Sequence, residues 1–399
     1  MNILQVVYAF YPPYSESGNS RVVYEISKGL AAKGHNVTVY TTNVLSQDKM
    51  FSSKKEIHNI HGVKVYYCRN LLYKPHSPLP LFYSRDLVRK IKKNLAKYDI
   101  VHLHHYRFYI SVILHHYAAK CDVPYILQAH GSIPRKAKQG LKCVYDLLFG
   151  YRLLRDASKV IALSEAEADQ YRSMGVPEEK IAIIPNGIDL SEYAELPPKG
   201  AFKKKFNIPE DKKIILYLGR IHKIKGIDFL VRAYAYLIDK MHFKDAVLVI
   251  AGPDDGYLSE IKSLVQDLGI SGSVILTGSL SERDKIKAYN DASIVVYLGP
   301  FEPYGLVSLE AAACKTPVIV AQGTPMAEVI NRGKFGFSVR YGDVKTLVSK
   351  LQRILDNEEL AEKLGKNGRR YIFNNFSWSK IIERYEQVYK EVIEGACRR

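Results

Sequence analysis

The chain has 399 residues, 47% of them apolar and 25% charged, with a formal net charge of +17. Single hydrophobic cores rarely grow past roughly 250–300 residues, so this length favours two domains, while the apolar fraction and the ordinary counts of 26 Gly and 17 Pro exclude wholesale disorder and collagen-like or low-complexity chains. The charge is unevenly spread: residues 85–142 carry twelve Lys and Arg against three Asp and Glu, a patch suited to nucleic acid, an anionic membrane or phosphorylated substrates.

From the N-terminus, Ile3–Tyr8 is a continuous apolar run of the kind that forms a strand buried on both faces. The start has no basic n-region or small-residue cleavage site, so it does not read as a signal peptide. A helical pattern (Val22, Val23, Ile26, Leu30) follows Gly18 and ends at Gly34, and Val37–Thr41 is the next strand, which makes a βαβ opening. Further strands are expected at Val63–Tyr67, Ile100–Leu103, Tyr125–Leu127, Lys159–Leu163 and Ile181–Ile184. The stretch Ser191–Gly200, with Pro197 and Pro198, reads as a linker, after which the βα alternation restarts. Strands are expected at Ile214–Leu218, Ala246–Ile250, Val274–Leu276, Ile294–Tyr297 and Pro317–Val320, with helices between them and one over about 344–355. In the last helix Trp378, Ile381, Ile382, Tyr385, Val388, Tyr389 and Val392 share one face. No stretch approaches about 18 uninterrupted apolar residues, so no membrane span is expected. The five Cys include no C-x-x-C pair, which argues against a disulfide framework or a zinc ribbon and for a reducing compartment.

Neither G-x-G-x-x-G opening a βαβ unit nor G-x-x-x-x-G-K-[ST] occurs, which disfavours dinucleotide-binding dehydrogenases and P-loop kinases. Four segments stand out instead. Gly219, Arg220, Lys225 and Gly226 follow a strand, where two cations can hold a diphosphate and the glycines allow close backbone approach; a surface turn with two solvated charges is the plain alternative. Glu302, Pro303, Tyr304 and Gly305 lead into a helix whose first amides, of Leu306 and Val307, suit an anion. Glu310, further into that helix among apolar neighbours, can accept hydrogen bonds from vicinal hydroxyls, whereas a plain reading makes both glutamates helix-surface charges. His130, Gly131 and Ser132 open a loop after a strand, and the imidazole is either structural or aimed at a cleft. Pro185, Asn186, Gly187, Ile188 and Asp189 form a closing turn that simple hinge chemistry also explains.

Taken together, these residues resemble glycosyltransferase family 4 (GT4), the retaining glycosyltransferases of GT-B architecture. The match is carried by Gly18, by Gly34 to Val39, by His130 and Gly131, and by Pro185 to Asp189. It continues through Gly219, Arg220, Lys225 and Gly226, Ala251 to Pro253, Glu302 to Leu306 with Glu310 and Ala311, and Phe376 to Trp378. The resemblance implies an α/β chain of two doubly wound Rossmann-like domains facing a central cleft. Residues 1–197 would be the N-terminal, acceptor-side domain and residues 198–375 the donor-side domain. Residues 376–399 would form a helix crossing back to the first, with a hinge near Asp189–Gly200. The implied donor is a nucleoside-diphosphate sugar, UDP- or GDP-linked, with anomeric configuration retained and no cofactor or metal required; Asp254 and Asp255 are then loop acids. By the same resemblance Arg220 and Lys225 neutralise the leaving diphosphate, Glu310 holds the ribose, and Glu302 with Tyr304, Gly305 and the amides of Leu306 and Val307 positions the sugar. His130 contacts the sugar from the other domain, and Gly18 lets the first loop approach the diphosphate.

The basic first domain then points to a lipid-linked or glycan acceptor of cell-envelope or glycoconjugate synthesis. Arg85–Lys97 reads as a basic amphipathic helix, either lying on an anionic bilayer through Arg85, Arg89, Lys92 and Lys93 or packed on its own domain. Arg135 and Lys136 can meet an acceptor phosphate or lipid headgroups. His102, His104 and His105 lack a nearby Cys or acid cluster and do not read as a metal site. The expected location is cytoplasmic, with peripheral contact on the inner face of the membrane. A non-hydrolysing sugar-nucleotide epimerase or a glycogen-synthase-like enzyme of the same architecture is the alternative. A nucleic-acid-binding protein is a remote one, since no recognisable binding motif accompanies the charge.

Overall fold

The computed structural model describes residues 1–10, 18–44, 50–51, 57–71, 83–134, 139–300 and 304–397. The chain divides into two compact units, Met1–Gly187 with Trp378–Arg399, and Ile188–Ser377. The division falls earlier than Pro197, because residues 188–197 fold with the second unit: the Arg369 guanidinium donates to the carbonyls of Tyr193 and Ala194.

In the first unit the strands are β1 (Asn2–Val6), β2 (Asn36–Thr42), β3 (His58–Ile60), β4 (Val63–Cys68), β5 (Ile100–His104), β6 (Tyr125–Gln128), β7 (Lys159–Ala162) and β8 (Ile181–Ile183). They form one sheet in the order β3-β4-β2-β1-β5-β6-β7-β8, parallel except for β3 against β4. The chain winds one way from β1 to β2 and the other way to β5, so the topological switch lies beside β1, where ligands of such sheets bind. One face buries Leu4, Val6, Val101, Leu103 and Leu127. The opposite face starts apolar, with Ile3, Ile100 and Ile126, and turns polar towards the strand carboxyl ends, with Gln5, His102, His104 and Gln128. The last helix, Trp378–Cys397, covers that face with Ile381, Ile382, Tyr385, Tyr389 and Val392. Its heptad-like spacing therefore serves the first unit's core, and its two tyrosines meet the polar end of the face.

The helix Arg85–Asn94 follows the second of its two expected readings, packed on its own domain. Leu87 and Ile91, with Leu95 just beyond, are fully or almost fully buried in the same core as Val101 and Leu114. Its apolar stripe is spent on its own domain, so it is not a face for a bilayer. Arg85, Arg89, Lys92 and Lys93 remain exposed as an ordinary charged outer face.

The second unit holds β9 (Lys213–Leu218), β10 (Ala246–Ala251), β11 (Val274–Gly278), β12 (Ala292–Tyr297), β13 (Val318–Ala321) and β14 (Gly336–Val339) in the order β11-β10-β9-β12-β13-β14, with every pair parallel. The switch point here lies between β9 and β12. Two strands, β3 and β14, are absent from the sequence reading; each is short and only partly buried, so neither has a continuous apolar run to betray it. Both units are thus doubly wound α/β layers. Among the described residues no helix is long and apolar enough to cross a membrane.

Candidate active site

In the second unit the site grows from the carboxyl ends of β9 and β12. The strand β9 runs into Gly219, whose amide donates to the carbonyl of Ala251 at 2.9 Å. Gly252, at the end of β10, crosses so closely that a Cβ there would lie 1.9 Å from the Gly219 carbonyl oxygen. Only glycine permits that crossing, and it pins the loop that carries Arg220. The Arg220 side chain is 56% exposed and its Nη1 lies 2.5 Å from Asp255 Oδ2. Lys225 closes a single 3-10 turn, Lys223–Lys225, capped by His222, whose Nδ1 accepts from the amide of Ile224 at 3.2 Å. Gly226 then takes a left-handed conformation (φ 71°), where a Cβ would meet the Leu298 carbonyl oxygen at 2.8 Å. That contact brings the turn against the end of β12, and Lys225 Nζ donates to Tyr297 Oη at 3.0 Å. Tyr297 in turn lies parallel to Tyr217 of β9, with ring centroids 5.9 Å apart. Arg220 therefore stands at the carboxyl end of β9, and Lys225 is held against the carboxyl end of the adjacent β12.

The helix after β12 spans Leu306–Ala313 and begins at Gly305 in the left-handed region, with no side chain capping it among the described residues. Tyr304 is buried and Leu306 and Val307 are half-buried. Glu310 is not a solvated surface charge: its Oε2 accepts from the hydroxyl of fully buried Tyr289 at 2.7 Å. Asp254 Oδ1 accepts from the amides of Gly256, Tyr257 and Leu258, which caps the following helix and accounts for it as a loop acid. Glu302, Arg135 and Lys136 lie outside the described residues. Gly18 is the first residue of the helix Gly18–Ala32, so it sits at a helix start and not within a loop.

In the first unit His130 follows β6 with a positive φ of 50°, and Gly131 with 77°. A non-glycine residue in that region is uncommon and is held by its surroundings. The holders are explicit. The Glu167 carboxylate, in the first turn of the helix Glu165–Ser173, accepts from the Gly131 amide at 2.6 Å and from the Leu163 amide at 2.8 Å. Burial pushes its pKa up, and those two amides oppose the shift. Arg107 donates to the Ser132 and Ile133 carbonyls and forms a bidentate pair with fully buried Asp146. The His130 imidazole is buried, its Nε2 3.0 Å from His104 Nδ1. Burial, followed by the charge of neighbouring imidazoles, holds both histidines well below the ordinary histidine pKa, so both are neutral.

Gln5, Glu167, Tyr289 and Tyr297 were not singled out from sequence, and His104 and Asp255 were named there without the partners they have here. A signal existed for two of them: Gln5 interrupts an apolar run, and the period-2 alternation of His102 and His104 puts both on one strand face. The partners of Glu310 and Lys225 come from a distant helix and a distant strand and had none.

A family model described as "Glycosyltransferase Family 4" matches residues 17–192, and one described as "Glycosyl transferases group 1" matches residues 198–371. An uncharacterized glycosyltransferase of Methanocaldococcus jannaschii is 27% identical over 394 residues, covering 96% of this chain and 97% of its own. N-acetyl-alpha-D-glucosaminyl L-malate synthase of Bacillus anthracis is 26% identical over 396 residues, covering 98% and 97%. Among solved structures, HepE of Anabaena in complex with UDP-glucose aligns with a TM-score of 0.76 at 19% identity, covering 98% of this chain and 100% of its own. Two consecutive family matches spanning nearly all of the chain, on a pair of doubly wound sheets, establish that the protein belongs to glycosyltransferase family 4 and has the GT-B architecture.

Proposed function

We propose that the protein is a retaining, metal-independent glycosyltransferase that moves a sugar from a UDP- or GDP-sugar to a lipid-linked or glycan acceptor. The observation that carries this reading is the placing of Arg220 and Lys225 at the carboxyl ends of the adjacent strands β9 and β12, with the tyrosine-held Glu310 in the helix that follows β12. Departure of a nucleoside diphosphate is the chief barrier, and two fixed cations with the amides of Leu306 and Val307 stabilise its developing charge. Glu310, aimed by Tyr289, accepts hydrogen bonds from the ribose hydroxyls. Glu302 positions the transferred sugar, and His130 meets the sugar as positive character develops at its anomeric carbon. Gly18 gives the diphosphate room at the start of its helix. That HepE was solved with UDP-glucose supports a nucleotide-sugar donor.

A thermal-shift panel of UDP-, GDP- and ADP-sugars tests the donor, since a ligand at 100 times its Kd stabilises by about 2.7 kcal/mol. One base should raise the melting temperature, and the rise should vanish in Arg220→Ala. A flat panel overturns the donor site. Transfer that survives EDTA and yields the donor's anomeric configuration supports the mechanism; turnover of donor without acceptor favours the epimerase instead.

The acceptor side is basic, and the malate named for the Bacillus relative is itself an anion. For the first unit we place membrane contact on 139–151, away from the buried stripe of Arg85–Asn94. There Leu141, Val144, Leu147, Leu148 and Tyr151 are exposed, Leu147 to 74%, beside exposed Arg152 and Arg155. Such a face suits the interface of an anionic bilayer. Flotation with phosphatidylglycerol vesicles should be lost in Leu147→Glu/Leu148→Glu, and indifference to lipid charge or to these changes overturns the contact.

A further inference from the structure

At its polar end, the first sheet holds a buried chain of hydrogen bonds that ends at His130. His102 Nδ1 lies 2.6 Å from Tyr389 Oη, and Gln5 Nε2 donates to the same hydroxyl at 3.2 Å. Gln5 Oε1 lies 2.7 Å from His104 Nε2, and His104 Nδ1 lies 3.0 Å from His130 Nε2. All five side chains are at most 4% exposed. A neutral imidazole carries one N–H, so a single fixed group sets the direction of the whole chain. Gln5 spends its amide N–H on Tyr389, and its carbonyl therefore accepts from His104 Nε2–H. His104 Nδ1 is then a lone pair. The hydrogen in the last link must come from His130 Nε2, which leaves His130 Nδ1 without a proton. That atom is buried and has no hydrogen-bond partner among the described residues.

We propose that Gln5 and His104 are positioning residues that lock His130 in the Nε2–H tautomer, so that its Nδ1 serves only as an acceptor for a hydroxyl of the transferred sugar. This rests on the reading that His130 meets the sugar. The device goes further than orientation. Glu167 on the Gly131 amide and Arg107 on the Ser132 and Ile133 carbonyls fix the turn, so the ring cannot swing to offer its other nitrogen. A site with an acceptor at that point rewards a hydroxyl that donates. It rejects a fluorine in the same position, because two acceptors then face each other with nothing between them.

Two measurements separate the parts. The first needs no donor: two-bond proton–nitrogen spectra of the full chain with ring-¹⁵N histidine, His130 being assigned by its loss in His130→Asn. The expected spectrum shows His130 protonated at Nε2 and bare at Nδ1. Gln5→Glu still accepts from His104 and should keep that pattern, whereas Gln5→Leu and His104→Phe, in folded variants, should give a mixture of tautomers. Protonation at Nδ1 in the unaltered chain, or a pattern indifferent to both Gln5→Leu and His104→Phe, overturns the lock. The second is a panel of monofluorinated donors in which each hydroxyl in turn is replaced. One position should bind about tenfold or more weaker to the unaltered chain, and that discrimination should disappear in His130→Asn. If the tautomer is as expected and no fluorinated position depends on His130, the sugar contact is wrong and the acceptor role falls with it, while the donor site of the second unit is untouched.

Discussion

The two units use the same doubly wound plan and treat charge in opposite ways at their strand carboxyl ends. In the second, the cations Arg220 and Lys225 are exposed or half-buried, held by one carboxylate and one phenol. In the first, four imidazoles (His102, His104, His105 and His130) are buried and uncharged. The difference suits the roles proposed for the two ends. A departing diphosphate needs full cations that can reach it, and a solvated cation costs little to keep. Directing a neutral hydroxyl needs a fixed donor and acceptor pattern, and a dry, fully bonded network holds that pattern best.

Acid breaks this symmetry with the largest expected effect. Burial lowers the pKa of His102 and of His105 to about 3, while an unfolded histidine titrates near 6.5. Below pH 6.5 the unfolded chain therefore binds protons that the folded first unit refuses. Stability falls as pH drops from 6.5 towards 3, by about 2 kcal/mol per such histidine at pH 5. The second unit has no buried histidine among its described residues. The single Trp, Trp378, packs against the first unit's core and reports on it. Denaturant midpoints followed by its fluorescence should drop steeply between pH 7 and pH 5, while amide exchange in β9 to β14 changes less. A pH-independent Trp378 transition would mean that these histidines can take up protons in the folded state.

Catalytic charge is the next lever. Arg220→Ala, Lys225→Ala and Glu302→Ala should each lower kcat/KM by about 10²–10³-fold with the melting temperature unchanged. Arg220 is largely exposed and Lys225 half-buried on a short turn, so folded variants are expected, and wild-type rates in them would remove both residues from the chemistry.

The legible part of this molecule was the part written in consecutive residues. The strands β9 and β10 are continuous apolar runs, β1 is one broken only by Gln5, and Gly219 to Gly226 announce a turn between strand and helix. What stayed hidden was pairing across the fold. Glu310 looked like a helix carboxylate until Tyr289, on another helix, was seen to hold it. His130 looked like a lone histidine, and the chain of hydrogen bonds that ends at it runs through Gln5 and Tyr389 at opposite ends of the sequence. The stripe Leu87, Ile91 and Leu95 shows the converse error: amphipathicity reports that a face will be buried, and only the fold says whether protein or lipid buries it.

Tyr289→Phe is the gentler probe of the second unit. It removes one hydroxyl from a packed site and frees Glu310 to rotate. A hydrogen bond to a carboxylate contributes about 1 kcal/mol or somewhat more, so KM for the donor should rise about fivefold with kcat little changed. A fall in kcat with KM unchanged would place Glu310 on the reacting sugar and not on the ribose.

Asp255→Asn should act in the reverse direction and more weakly. Asp255 occupies Arg220 as a counter-ion, and a diphosphate at the proposed donor site would have to displace it. With Arg220 56% exposed and Asp255 32% exposed, such a pair is worth roughly 0.2–1 kcal/mol, so removing the carboxylate should tighten donor binding by at most about fivefold. The gain should shrink in 0.5 M salt, where the pair is already screened, and vanish in an Arg220→Ala background. Weaker binding in Asp255→Asn would reverse the interpretation: the carboxylate would then be aiming the guanidinium at the diphosphate, and the second unit would hold its cation as tightly as the first holds its histidine.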